Sequence, residues 1–152
     1  DRFLMKLSVG YPTPAEEQEI LRRRRQRRQD DVDLRAVTDE AELTAMRRAA
    51  EEVFIDPDIE AYMVALVTAT RQDSRIAVGA SPRASLALMK LARAWAMLDG
   101  RNFVLPDDVK QFIVPVLGHR LILQPDLWMK RNAISDVIDK VTSAVTVPVT
   151  EV

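Results

Sequence analysis

Gly79-Ala80-Ser81-Pro82-Arg83-Ala84 is the stretch whose residue types and spacing point most directly to chemistry. Ser81 as N-cap and Pro82 at the first helical position place Arg83 inside the first turn of a helix. A cation there faces the positive end of the helix dipole, which costs about 0.3–1 kcal/mol. A bound anion reverses the sign, because backbone N–H groups and a guanidinium then converge on it. The plainer reading is an exposed arginine whose long side chain bends back to a nearby carboxylate. The residues alone leave both open.

Other chemistries are narrowed by what the chain lacks. It has no cysteine, which removes disulfides, thiolate metal sites and cysteine nucleophiles and fits a reducing, cytoplasmic setting. Its single histidine, His119, makes no zinc cluster and no Ser-His pair with obvious context. No G-x-x-x-x-G-K-[ST] occurs. Thr38-Asp39-Glu40 follows Leu34-Arg35-Ala36-Val37, too short and too charged for a buried strand ending in a magnesium-binding carboxylate. By itself the chain therefore lacks both phosphate cradle and magnesium site, and no turnover is expected of it.

Net charge is −1, so no global field draws the chain to nucleic acid or an anionic membrane. No apolar run approaches the ~20 residues of a membrane helix, and no signal peptide opens the chain. Six arginines fall within Arg22–Arg28. They read as a solvated face opposite Ile20 and Leu21, or as a contact for nucleic acid or an acidic partner. No aromatic interleaves with them, so base stacking is unsupported and nucleic acid is the less favoured partner.

The elements that must position these residues are mostly helices. With 152 residues, 47% hydrophobic and 30% charged, the chain can bury a core, and only four glycines interrupt it. Phe3, Met5, Leu7 and Val9 alternate as in a strand, with no hairpin partner nearby. Residues 1–10 are therefore expected to be an orphan strand cut from an upstream sheet. Thr13, Pro14 and Glu16 form a capping box for a first helix. A second begins at Thr38-Asp39-Glu40. A third follows Asp56-Pro57, with Ile59, Tyr62, Met63, Leu66, Val67 and Thr70 at helical spacing. Asp73–Gly79 reads as a loop. The helix from Pro82 is apolar over more than half its circumference (Leu86, Leu88, Leu91, Trp95, Leu98) and ends at Asp99-Gly100. A fifth helix starts at Pro106 and a last one carries Ile134, Val137, Ile138 and Val141. Leu121-Ile122-Leu123 is expected to pair with Val53-Phe54-Ile55 as a two-stranded patch. The expected fold is all-α: a small helical bundle, an orphan N-terminal β-strand and that minor patch.

Gly79-Ala80-Ser81-Pro82-Arg83-Ala84, the Ala/Leu-rich helix, the Asp-Gly turn and Pro106-Asp107-Asp108-Val109 together resemble the lid of MoxR-family AAA+ ATPases. Asp1-Arg2-Phe3 and Gly10-Tyr11-Pro12 resemble the end of that family's nucleotide-binding core, and Val114-Pro115-Val116-Leu117-Gly118-His119-Arg120-Leu121 resembles its closing helix. The motifs run in order from Asp1 to about Leu123. One departure is Leu105, where the family usually has a Ser or Thr cap.

The resemblance implies 1–10 as remnant of the core, 11–124 as helical lid and 125–152 as C-terminal helix and tail. It implies that Arg83 is the sensor-2 arginine reaching the γ-phosphate held by its own core. It implies that Arg2 is an arginine finger offered to a neighbour's nucleotide; without it, Arg2 is an arginine pairing with Asp1. Tyr11 and Pro12 at the core–lid hinge, with Ser81 and Pro82, would contact nucleotide; an ordinary helix entry explains Tyr11 and Pro12 equally well. ATP and Mg²⁺ are the implied cofactors of the whole protein. Its implied partners are a core domain in cis, neighbouring subunits of a ring (a hexamer), a client to be remodelled and, loosely, a protein with a von Willebrand A-type domain. No metal is assigned to this chain's own residues. Two rival readings come from other classes: a helical nucleic-acid-binding domain using the arginine cluster, and a non-enzymatic protein-interaction bundle.

Overall fold

A computed structural model describes residues 2–130 and 132–149. Six helices follow in order: α1 (Pro14–Arg27), α2 (Glu40–Glu51), α3 (Pro57–Gln72), α4 (Pro82–Leu98), α5 (Pro106–Leu117) and α6 (Ala133–Ser143). Two short strands, β1 (Ile76–Val78) and β2 (Ile122–Leu123), lie between α3 and α4 and after α5. The chain is all-α with one very small sheet.

Local sequence explains the helix starts. Thr13 and Glu16 exchange a reciprocal capping box, and Pro14 occupies the first position of α1. Asp39 caps α2 by accepting from Glu42 N–H at 2.8 Å, and Asp56 caps α3 by accepting from Asp58 N–H at 2.8 Å. At α5 the missing Ser/Thr cap is replaced. Leu105 has no side-chain acceptor, but the Asp108 carboxylate reaches back to Leu105 N–H at 2.7 Å, half of a capping box. Asp108 is itself gripped by Arg101, whose Nη2 and Nη1 donate to Oδ1 at 2.6 Å and Oδ2 at 2.8 Å. Asp99 binds Arg101 Nε at 3.1 Å, and these carboxylates hold the guanidinium pKa well above its ordinary value. The α4–α5 joint is thus one ionic knot around the buried Asp108.

The core is built from α3, α4, α5 and α6 around Ile59, Leu66, Leu88, Val109, Leu117 and Ile138, each fully buried. The first helix is different. None of residues 2–52 is buried, and α1 leaves Ile20 and Leu21 mostly exposed. Three of its arginines are met locally: Arg22 and Arg23 bind Glu19, and Arg24 binds Asp30.

Three expectations are corrected. Phe3–Val9 forms no strand; alternating side chains make a strand only where a neighbour supplies ladder bonds, and the described residues offer this segment just one, Lys6 N–H to Pro115 O at 2.9 Å. The small sheet is not the expected one: β2 pairs antiparallel with β1, Ile76 opposite Leu123 and Val78 opposite Ile122. Phe54 instead bridges Phe103, with Phe54 N–H to Asn102 O and Val104 N–H to Phe54 O. On α4, Leu86 and Leu98 face outward, so its buried stripe is narrower than composition suggests and rests on Ala84, Ala87, Leu88, Leu91, Ala92 and Ala96.

Candidate functional site

The first turn of α4 is placed by α3. Ala80 N–H donates to Thr70 Oγ1 at 3.0 Å, and Ala80 O accepts from Arg71 Nε at 2.7 Å. Both backbone groups of the turn are therefore satisfied by two successive side chains of one helix. Gly79 allows this approach: a Cβ there would lie 2.7 Å from Arg71 Cγ and 2.9 Å from Thr70 O. Ala84, fully buried, lets α4 settle against the core just beyond the turn.

Ser81 takes the extended conformation of an N-cap but its hydroxyl caps nothing. That part of the expected role is corrected. Pro82 and Arg83 follow as expected, with Arg83 in the first turn and exposed. From there a stripe at helical spacing, Arg83, Leu86, Ala87 and Lys90, forms one wall of a cleft of about 320 Å³. Arg2, Phe3, Leu4 and Arg120 complete it.

Among the described residues, four cations and no carboxylate line this cleft. The donor set suits a polyanion and offers nothing to a divalent metal. Among the described residues no cluster of acidic or histidine side chains could hold a metal ion. Partial burial pushes the Arg120 guanidinium pKa down, the direction expected of a cation drawn away from water.

The structure brings Arg2 and Arg83 together on one cleft. It does not bring Tyr11, Pro12, Ser81 or Pro82 to that lining. Tyr11 stands almost wholly in solvent after Gly10, whose φ of +73° is the left-handed turn a glycine allows. Asp1, the alternative partner of Arg2, lies outside the described residues. Lys90 and Arg120 were missed as site residues. Lys90 sits seven residues after Arg83, two turns along the same face, and that spacing is legible. Thr70, a polar residue in the apolar stripe of α3, is likewise a visible sign of a buried hydroxyl that must find partners. Among the described residues no helix is long and apolar enough to cross a membrane.

Residues 68–141 match the AAA lid domain family, a span that begins near the end of α3 and runs into α6. The chain is 37% identical over 150 residues to the uncharacterized protein YeaC of Bacillus subtilis, covering 98% of this chain and 46% of that one. It is 35% identical over 157 residues to the chaperone MoxR1 of Mycobacterium tuberculosis, covering 97% of this chain and 41% of that one. It carries a MoxR-type AAA+ lid. A putative ATPase of Cytophaga hutchinsonii, solved by crystallography, superposes with a TM-score of 0.86 at 27% identity, over 97% of this chain and 47% of that one. The MoxR-type resemblance read from the motifs is thereby borne out along nearly the whole chain. The chain spans less than half the length of these relatives.

Proposed function

We propose that the chain is the nucleotide-facing lid of a ring-forming ATPase that couples ATP binding and hydrolysis to remodelling or assembly of a client protein. The observation that carries this reading is the cleft: Arg83 in the first turn of the lid helix, facing a wall that bears Arg2 and Arg120. Arg83 is the sensor-2 arginine, contacting the γ-phosphate held by the adjoining core. Arg2 is the finger presented to a neighbouring subunit. Each stabilises charge as the phosphoryl group leaves, and removing such a finger lowers turnover by about 10³–10⁵. Mg²⁺ binds on the core side, since the charged side chains described in this cleft are cations.

Residues 1–10 complete the core, 11–124 form the lid and 125–152 close it, with lid motion concentrated at Val9-Gly10 and Tyr11-Pro12 beside the adenine. A subunit ring, a hexamer, supplies the neighbour, and a von Willebrand A-type protein is the partner the resemblance points to. Arg83→Ala in the full-length protein tests the reading. ATP turnover should fall at least tenfold, which is ~1.4 kcal/mol of transition-state stabilisation. Undiminished turnover would reduce the chain to an interaction bundle.

A further inference from the structure

The segment that carries Arg2 is held by the far end of α5. Arg120 Nη1 donates to Leu4 O at 3.1 Å, and its Nη2 donates to Phe3 O. His119 Nε2 lies 3.3 Å from Phe3 O while its Nδ1 lies 3.1 Å from Pro115 O. Pro115 O in turn accepts from Lys6 N–H at 2.9 Å. These hydrogen bonds all meet backbone on residues 3–6, and Met5 adds a side chain packed against the core. Phe3 is 80% exposed, so burial of its ring does not hold the segment there. Side chains that seek out the carbonyls of a coil fix its path, and Arg2 is the residue immediately before the first of those carbonyls. A guanidinium suits the task because its planar fork meets two successive carbonyl oxygens, which a lysine ammonium cannot do with one fixed geometry.

We infer that Arg120, assisted by His119, is a positioning residue for Arg2: the lid of each subunit sets the direction in which that subunit presents Arg2 to its neighbour. This rests on the reading of Arg2 given above. Because Arg120 also shares the cleft of Arg83, a lid displacement at one nucleotide shifts the Arg2 clamp as well. One subunit's nucleotide state is thereby passed to the next through the end of α5. A misplacement of about 1 Å in such a group lowers turnover by as much as roughly a hundredfold.

The test uses rings of the full-length protein. Arg120→Met keeps the apolar stem and removes the donors. Its homogeneous ring should turn over ATP about tenfold to a hundredfold more slowly. Mixing Arg120→Met subunits with an excess of subunits that keep this lid intact but carry a disabled phosphate-binding loop should restore turnover, because neighbours then supply a well-aimed Arg2. Arg2→Ala is run in parallel. Rescue of both variants supports the inference. Rescue of Arg2→Ala alone overturns it while leaving the finger reading intact, and rescue of neither overturns both. On this chain alone, exchange of the Lys6 amide should accelerate in Arg120→Met. Arg120→Lys, which keeps the charge, replaces it in every arm if the methionine variant does not fold. An unchanged Lys6 exchange rate in a folded variant also overturns the inference.

Discussion

Two arginines flank α4, and they are handled in opposite ways. Arg101, just beyond its C-terminal end, is bound by Asp108, Asp99 and the Phe103 carbonyl, and its side chain is 18% exposed. Arg83, in the first turn, is exposed on a cleft whose other charged side chains, among the described residues, are cationic. The fold brings carboxylates to one and places Arg2, Lys90 and Arg120 on the same cleft as the other. The first is a structural arginine, matched by acidic side chains of its own chain. An arginine set against its helix dipole and beside Arg2, Lys90 and Arg120 is one that a bound anion would stabilise further.

The largest effect on stability should come from Arg101→Ala. It leaves Asp108, whose side chain is 4% exposed, as a buried carboxylate without its partner. Losses of that kind run to about 3–5 kcal/mol, which urea denaturation would read directly. Replacing Arg101 and Asp108 together with apolar residues of similar size should recover all but about 1 kcal/mol, the cap bond to Leu105. If the double replacement is no better than the single one, the knot contributes more than pairing.

Gly79→Ala should cost less, about 1–3 kcal/mol, as the added methyl meets both side chain and backbone of α3. It sharpens the comparison because the same turn sets Arg83. Turnover of the full-length protein should therefore fall beyond what the lost folded fraction explains. A variant that is destabilised but fully active per folded molecule would separate the α3 turn from the chemistry.

The smallest effect concerns the exposed arginine helix. Bonds from Arg22 and Arg23 hold the Glu19 carboxyl at a pKa of about 2, down from 4.5. A carboxylate with a depressed folded pKa stabilises above its unfolded value and loses that contribution as pH falls through the folded one. Amide chemical shifts of Ala15–Arg27 should therefore move toward coil values between about pH 4.5 and pH 2. An α1 that keeps its shifts below pH 2 would show that these pairs contribute nothing to it.

The comparison also shows what was readable beforehand. Helix starts were legible because caps are local chemistry: Thr13 with Glu16, Asp56 before Pro57, Pro82 and Pro106 all mark the observed boundaries. The apolar spacing of α3 predicted its buried face residue for residue. The small sheet was misread because Ile76-Ala77-Val78 and Ile122-Leu123 are too short to show a period, so nothing in them names a partner. The N-terminal strand was misread for the reverse reason: its alternation is real, but pairing is decided by what lies alongside. Arg83 was legible from its place in a helix start. Arg120 was not, since its role depends on residues Phe3 and Leu4, more than a hundred positions away.

The most direct test sets Arg83→Ala beside Arg101→Ala in the full-length protein, measuring thermal midpoint and ATP turnover per folded molecule on the same samples. Arg83→Ala should lose at least tenfold in turnover with its midpoint almost unchanged, because its exposed side chain adds nothing to the buried core. Arg101→Ala should lose several degrees, at roughly 2–4 °C per kcal/mol, with turnover per folded molecule largely kept. An Arg83→Ala protein that unfolds early yet hydrolyses ATP normally in its folded fraction would make Arg83 a structural residue and contradict the account.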